Sequence, residues 1–164
     1  MRFNKFSSLL WLCLCLPLSS WALESDKSQP IKIEADHFLL DESKGVTVYT
    51  GNVVVIQGSL EIQGAKVTIY DNKGKAEKIV ATGSPVKFRQ QPEGQDIPVR
   101  GESQQAEYLL NEDTIVLINK ATLWQLDNTF SSDRIVYDSR KSLVKAGSKT
   151  PGTDRVKVTL EPAE

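Results

Sequence analysis

Residues 53–63 read Val-Val-Val-Ile-Gln-Gly-Ser-Leu-Glu-Ile-Gln, and this stretch contains the pattern on which the fold depends. A β-branched run is followed by a turn signal, Gln57-Gly58-Ser59, and then by the alternation Leu60-Glu61-Ile62-Gln63. Alternation of apolar and polar residues with a period of two gives a β-strand one apolar face. The stretch therefore predicts two short strands joined by a turn.

The same alternation recurs along the chain and predicts an all-β protein. It is present in Ile31-Lys32-Ile33-Glu34, in Lys66-Val67-Thr68-Ile69 and in Val156-Lys157-Val158-Thr159-Leu160, with glycine-containing turn signals between such runs. Residues 102–107 are mostly helix formers, but we predict a strand there because they match the segment that ends at residue 40. Short, regular strands of this kind are typical of an antiparallel sandwich or roll.

Two halves of the chain, residues 31–88 and 101–158, repeat one another. The matching segments are Phe38–Asp41 with Tyr108–Asn111, Val53–Gln57 with Ala121–Gln125, Ala65–Ile69 with Asp133–Tyr137, and Ile79–Ser84 with Leu143–Ser148. Apolar positions are kept while polar identities and loop lengths change, as expected of repeated units that share one core. The repeat predicts one structure built from two similar halves. Such a repeat is not what a catalytic site would normally produce.

The first 22 residues have the features of an export signal. Arg2 and Lys5 precede an apolar run, residues 6–18, and Ser20-Trp21-Ala22 supplies small residues where a signal peptidase cleaves. The run is shorter than the roughly 20 residues that a membrane-spanning helix needs. We therefore expect cleavage after Ala22 and a soluble, exported chain.

Residues 23–164 are expected to form a single domain without disulfides. Both cysteines, Cys13 and Cys15, lie in the signal, and the 142 residues that follow have none. A chain of this length can bury roughly two thirds of its unfolded surface without such crosslinks. It carries 18 basic and 21 acidic residues, a net charge of −3, and has no basic run interleaved with aromatic residues. Nucleic acid is therefore not expected as a partner.

Aligning the alternating positions across both halves defines side chains that share one face of the sheet, which we call the inward set. Its members are aliphatic or aromatic: Ile31, Ile33, Phe38, Leu40, Val53, Val55, Leu60, Ile62, Val67, Ile69, Ile79, Val86, Phe88, Tyr108, Leu110, Leu123, Phe130, Ile135, Tyr137 and Leu143. Such a face either packs against another sheet as an ordinary core or lines a groove for lipid. Both surfaces need the same residue types, so the pattern leaves the two interpretations open.

Candidates for catalysis and metal binding are few. His37 is the only histidine, and the inward set contains no carboxylate. A metal cluster or a Ser-His-Asp triad would depend on this one residue, and a surface or turn position explains it better. A glycosidase would need two facing carboxylates. We expect no catalytic residue, no metal site and no cofactor, and hence a protein that is not an enzyme.

Three segments carry a resemblance to a known family. Gln29–Asp36, Tyr49–Gly58 and Ala65–Val67 resemble, in residues, order and spacing, the LptA/OstA family of periplasmic lipopolysaccharide-transport proteins. The similarity also includes residues 83–88 and covers essentially the whole chain after the signal. It implies an antiparallel β-jellyroll, folded over into a V-shaped pair of sheets, with the acyl chains of lipopolysaccharide between the sheets.

The resemblance also implies a location and sites of contact. It implies lipid contact at Ile31, Ile33, Phe88, Tyr108 and Leu110 in a periplasmic protein that is part of a bridge from the inner to the outer membrane. We extend the expectation of lipid binding to the inward set apart from Leu60, Ile79 and Leu143. The first strand, residues 31–35, and the last, residues 155–160, are expected at opposite edges. There an LptC-like inner-membrane protein, an LptD-like outer-membrane protein or a further copy can add a strand, head to tail. No phosphate-binding loop is present, so the energy for transport is expected to come from elsewhere.

Two points stay open from the sequence. The second half has Ile118-Asn119-Lys120 where the first has Thr50-Gly51-Asn52, which puts the shape of that turn in question. A structural, adhesin-like secreted β-repeat module would share the strands and the repeat. In that alternative the inward face packs dry and leaves no room for a ligand.

Overall fold

The computed structural model describes residues 26–147 and 155–161. The predicted signal, residues 1–22, and the repeat position Ser148 lie outside the described residues. A 3₁₀ turn, Asp26–Ser28, precedes ten strands: β1 (Lys32–Glu34), β2 (His37–Asp41), β3 (Val46–Gln57), β4 (Leu60–Asn72), β5 (Lys75–Gln90), β6 (Val99–Leu109), β7 (Thr114–Gln125), β8 (Asn128–Asp138), β9 (Leu143–Ala146) and β10 (Lys157–Thr159).

The strands form one antiparallel sheet in the order β1-β3-β4-β5-β6-β7-β8-β10. At one edge, β1 and β2 pair with different parts of β3, and at the other edge β9 and β10 pair with different parts of β8. Residues 102–107, which contain helix formers, lie within β6 as predicted. From β2 to β9, neighbours in sequence are neighbours in the sheet, because turns can join antiparallel strands directly.

Each of the long strands changes register near its middle, and this divides the sheet into two layers. The shifts lie between Thr50 and Val53, Gln63 and Lys66, Thr82 and Val86, Glu102 and Gln105, and Ile118 and Ala121. Bulges of this kind bend a strand and increase its twist. Layer 1 contains β2, β9 and residues 46–50, 66–72, 75–82, 105–109, 114–118 and 134–138. Layer 2 contains β1, β10 and residues 53–57, 60–63, 86–90, 99–103, 121–125 and 128–132.

The two layers lie face to face. The rings of Phe88 in layer 2 and Tyr137 in layer 1 have centroids 6.0 Å apart, and the Tyr108 hydroxyl of layer 1 donates to Gln57 Oε1 of layer 2 at 3.3 Å. All ten strands of the described residues pair antiparallel in this one sheet, which folds over on itself. The prediction of an all-β, folded-over antiparallel roll is therefore confirmed.

The turn that differs between the halves keeps its shape. Gly51 and Asn52 have φ angles of +82° and +47°, and Asn119 and Lys120 have +63° and +53°. Both pairs lie at a register shift, so each bends its strand through two left-handed residues. Glycine and asparagine adopt this conformation readily, whereas a lysine does so at a cost.

The structure corrects the repeat alignment at two places. Tyr49 of the first half and Leu117 of the second are equivalent positions, since they pair with the matching residues Val67 and Ile135. Phe38 pairs with Tyr49 and Ala106 pairs with Leu117, so Phe38 corresponds to Ala106 and not to Tyr108. In β9 the residue that pairs with Tyr137 is Val144, and Leu143 pairs with Asp138. Leu143 therefore faces away from the interior and is 40% exposed, contrary to its place in the inward set. A slip of one residue transfers a strand's side chains to the other face.

Candidate functional site

Three rows of side chains cross the facing surfaces of the layers from edge to edge. In layer 2 the row is Ile33, Val55, Ile62, Phe88, Gly101, Leu123, Phe130 and Val158. In layer 1 the first row is Leu40, Thr47, Ile69, Ile79, Tyr108, Ile115, Tyr137 and Val144, and the second is Phe38, Tyr49, Val67, Ala81, Ala106, Leu117, Ile135 and Ala146. The interior is therefore a nearly continuous apolar strip that reaches both edges of the sheet.

Most predicted lipid-binding residues lie in this interior. Ten are buried: Val53, Val55, Ile62, Val67, Val86, Phe88, Tyr108, Leu123, Ile135 and Tyr137. Five are partly buried and pack against that core: Ile31, Ile33, Ile69, Leu110 and Phe130. Their contact with lipid stays a prediction.

Two predicted residues are not enclosed. Phe38 is 71% exposed and Leu40 is 54% exposed, although both belong to the inward set. Their register places them on the inward rows, but they belong to β2, the edge strand of layer 1. No further strand of the described residues covers them, and the Phe38 ring stacks only on Tyr49 of β3, with centroids 6.3 Å apart.

Several interior residues were not identified from the sequence. Ala81, Ala106, Val99, Ile115 and Leu117 are buried in the same core. Residues 114–118 read Thr-Ile-Val-Leu-Ile, which has no alternation, so the inward and outward positions cannot be separated by pattern. The two alanines are missed because a small side chain gives little apolar signal.

The layers are in close contact at the middle of the interior. A Cβ atom added to Gly101 would lie 2.6 Å from Leu117 Cδ1 and 3.0 Å from Phe88 Cδ1. Gly101 thus allows the Leu117 side chain of layer 1 to approach the backbone of layer 2. A chain-like ligand can enter here only if the layers move apart.

The hydroxyls of Tyr108 and Tyr137 are the polar atoms of the two buried tyrosine side chains on the inward rows. Burial raises the pKa of Tyr137 to about 12, with a further contribution from the Asp138 carboxylate, and its hydroxyl has no hydrogen-bond partner. Burial also raises the pKa of Tyr108, and the Asp113 and Asp26 carboxylates add to this shift. Both side chains therefore stay neutral, which suits an apolar surface.

The turns of the two layers meet at one side, which we call the mouth, and the 3₁₀ turn lies across it. The Asp26 carboxylate accepts hydrogen bonds from the Ser59 N–H at 2.6 Å, the Ser59 hydroxyl at 2.8 Å and the Gln90 amide at 2.8 Å, all in layer 2. Lys27 Nζ lies 3.8 Å from Asp113 Oδ2 at a layer 1 turn. Residues 26–27 thus form a latch that connects the layers.

Both edges of the sheet expose apolar side chains. At the first edge these belong to β2, and at the second Val158 of β10 is 49% exposed, with Val156 and Leu160 on either side also exposed. Because edge strands have unpaired backbone groups, each edge can accept a strand from another chain. The first and last strands lie at opposite edges, as predicted.

Other kinds of site find no support in the part of the chain that the structure describes. No group of three or more His, Cys, Asp or Glu side chains there could hold a metal ion, and His37 is an exposed residue of β2. No helix among the described residues is long and apolar enough to cross a membrane.

Comparison with known proteins gives consistent matches. A family model described as "LptA/(LptD N-terminal domain) LPS transport protein" matches residues 32–142. The lipopolysaccharide export system protein LptH of Pseudomonas aeruginosa is 38% identical over 130 residues, covering 79% of this chain and 74% of LptH. The protein LptA of the same export system in Haemophilus influenzae is 38% identical over 149 residues, covering 89% of this chain and 85% of that protein.

A solved structure has the same fold. The crystal structure of LptH from Pseudomonas aeruginosa, described as the LptA-homologous periplasmic component of the lipopolysaccharide transport device, superposes with a TM-score of 0.79 at 33% identity. The match covers 85% of this chain and all of the LptH chain. LptA of Escherichia coli K12 is 34% identical and covers 98% of this chain and 88% of its own length.

Proposed function

The chain belongs to the LptA/(LptD N-terminal domain) family of LPS transport proteins, and from this membership we propose that it carries lipopolysaccharide through the periplasm with the acyl chains held between layers 1 and 2. It acts by binding and not by catalysis. The energy for movement comes from a separate component of the transport system, because the chain has no phosphate-binding loop.

The observation that carries this proposal is the set of apolar rows that run between the two edges. A core that served stability alone would not need to be continuous with exposed apolar side chains at Phe38 on one edge and Val158 on the other. Burial of acyl chains gains about 0.8 kcal/mol per CH₂, so one chain of about a dozen carbons contributes roughly 10 kcal/mol. Such a gain can offset the loss of contacts when the layers separate.

The same edges support an assembly. Pairing of the β1 and β2 edge with the β9 and β10 edge of another chain joins copies head to tail, and this kind of contact does not close into a ring. Each inward row then continues into the next copy. We infer that an LptC-like inner-membrane protein binds one terminal edge and an LptD-like outer-membrane protein binds the other, so that lipid passes along one apolar strip.

The separation of the layers can be measured directly. Spin labels are placed on outward positions of opposite layers, Lys145 of β9 and Thr129 of β8, in the chain purified from the periplasm. Pulsed electron spin resonance then gives the distance between the labels with and without lipopolysaccharide. A control pair, Lys66 and Lys145, lies within layer 1.

We expect lipopolysaccharide to increase the distance between layers by about the width of a hydrocarbon chain and to leave the control distance unchanged. Lipopolysaccharide whose acyl chains have been removed should have no effect on either distance. If intact lipopolysaccharide binds without changing the distance between the layers, its acyl chains do not lie between them.

A further inference from the structure

The outer face of layer 2 carries an open concavity of about 530 Å³ that the proposed function does not use. Arg89, Arg100 and Trp124 lie on three adjacent strands, β5, β6 and β7, and are directly opposite one another across the sheet. Their neighbours Phe88, Gly101 and Leu123 belong to the inward row, so by alternation these three side chains point outward.

Neither arginine forms an ion pair with a carboxylate among the described residues. Arg89 is the direct cross-strand neighbour of Arg100, and like charges in this position repel each other. Glu61 is the cross-strand neighbour of Arg89, but its carboxylate accepts a hydrogen bond from the Gln63 amide. The pair therefore offers two guanidinium groups to an anion.

The surroundings favour a phosphorylated sugar as that anion. A guanidinium binds phosphate through two parallel hydrogen bonds, and the Lys87 ammonium at the same concavity adds positive charge. The flat indole of Trp124 offers an apolar surface on which the C–H face of a sugar ring can pack. The carboxylates of Glu61 and Glu102, which also line the concavity, can accept hydrogen bonds from sugar hydroxyls.

We propose that Arg89, Arg100 and Trp124 bind the phosphorylated saccharide of lipopolysaccharide while its acyl chains lie between the layers. This rests on the proposed function. The three residues lie one position from the ends of their layer 2 segments, close to the mouth, where Ser59 and Gln90 hold the latch. A saccharide that leaves the mouth can therefore cross the end of layer 2 and reach the outer face.

Tryptophan fluorescence provides a direct readout of this site. Trp11 and Trp21 lie in the predicted signal, which leaves Trp124 as the only tryptophan of the exported chain. The chain purified from the periplasm is titrated with a phosphorylated oligosaccharide obtained by removing all acyl chains from lipopolysaccharide. The same oligosaccharide without its phosphates and inorganic phosphate alone are titrated in parallel.

The variant Arg89→Gln/Arg100→Gln removes both guanidiniums, and Lys66→Gln/Lys145→Gln removes the same charge from the outer face of layer 1. We expect saturable binding of the phosphorylated oligosaccharide, weakened at least about tenfold by the arginine variant and not by the lysine variant. Arg100→Lys keeps the charge but loses the two-point contact, so it should also weaken binding. Circular dichroism checks that each variant folds.

The proposal is overturned if the phosphorylated oligosaccharide does not bind, if its dephosphorylated form binds equally well, or if inorganic phosphate binds with the same affinity. It is also overturned if the arginine and lysine variants lose the same affinity. The arginine variant should still show layer separation with intact lipopolysaccharide. If a variant loses saccharide binding but its layers still separate with intact lipopolysaccharide, only the outer site is affected. If the layers of the parent protein never separate with lipopolysaccharide, the proposed function itself is contradicted.

Discussion

Tyr137 places a polar hydroxyl in the apolar interior. Its hydroxyl is buried without a hydrogen-bond partner, and an unsatisfied buried group of this kind costs about 1–3 kcal/mol. We expect Tyr137→Phe to raise the free energy of unfolding by about 1 kcal/mol, measured by urea denaturation. Tyr108→Phe is the control and should not stabilise, because Tyr108 donates to Gln57. A strongly destabilised Tyr137→Phe variant would show that the hydroxyl has a partner.

The same residue predicts the response to alkaline pH. Burial raises the pKa of Tyr137 to about 12, whereas the pKa of a tyrosine in an unfolded chain is about 10. A group whose pKa is raised on folding contributes its full stability below the unfolded pKa and loses it as the pH rises towards the folded pKa. Stability should therefore fall between about pH 10 and 12, and Tyr137→Phe should reduce this fall. Equal curves for the two proteins would contradict the assignment.

Gly101 tests how closely the layers pack. In Gly101→Ala the new methyl group meets Leu117 Cδ1, so we expect the free energy of unfolding to fall by about 1–3 kcal/mol. The second variant Gly101→Ala/Leu117→Val removes the contacting methyl and should recover part of the loss. If the single variant is as stable as the parent, the layers are farther apart than the contacts indicate.

Single residues also mark where sequence reasoning succeeds and where it fails. Alternation identified Ile62, Val67 and Phe88 as inward because the residues on either side of each are polar. It failed in the apolar run of residues 114–118, where neither face is polar. It also could not show that Phe38 is exposed, because an inward apolar side chain on an edge strand has the same pattern as one on a central strand.

At the scale of elements, the latch at the mouth is the feature with the clearest consequence. Asp26 accepts three hydrogen bonds from Ser59 and Gln90, so Asp26→Ala should loosen the latch and destabilise the fold by about 1–3 kcal/mol. The Gln57 amide still donates to the Lys27 and Gln29 carbonyls in this variant. Binding of a hydrophobic dye should increase because the mouth opens. Asp96→Ala, at an exposed position of the β5–β6 loop, is the control. Equal dye binding by both variants would mean that the latch does not restrict access.

The all-β fold and the turn at residues 57–59 followed from turn residues and alternation, but the strand lengths and the division into layers did not. Short strands were expected, whereas β3 to β8 each span 11 to 16 residues. The strands bend where the register shifts. The two residues at the shift are Gly51 and Asn52 in β3 and Asn119 and Lys120 in β7. Lys120 gives no local signal for a left-handed conformation. Similarly, the β8–β9 turn shifts β9 by one residue relative to the repeat, which exchanges Leu143 for Val144 on the inward face.

At the scale of the whole molecule, the two exposed edges determine assembly. A proline at Val158 removes a backbone N–H and obstructs strand addition at β10, while β10 contributes only three residues to the sheet. We expect Val158→Pro to weaken self-association, measured by light scattering over a concentration series, with little change in monomer stability. Val158→Thr keeps the N–H and is the control. Unchanged association in the proline variant would place the contact elsewhere.

The central claim is that the interior of this two-layer roll holds acyl chains. The most direct measurement is photocrosslinking to lipopolysaccharide from a photoreactive side chain at Phe88, which faces inward, with Lys66 on the outer face of layer 1 as control. Crosslinks at Phe88 and none at Lys66 are the predicted result. If neither position crosslinks while lipopolysaccharide is bound, the acyl chains do not lie in the interior and the central claim is wrong.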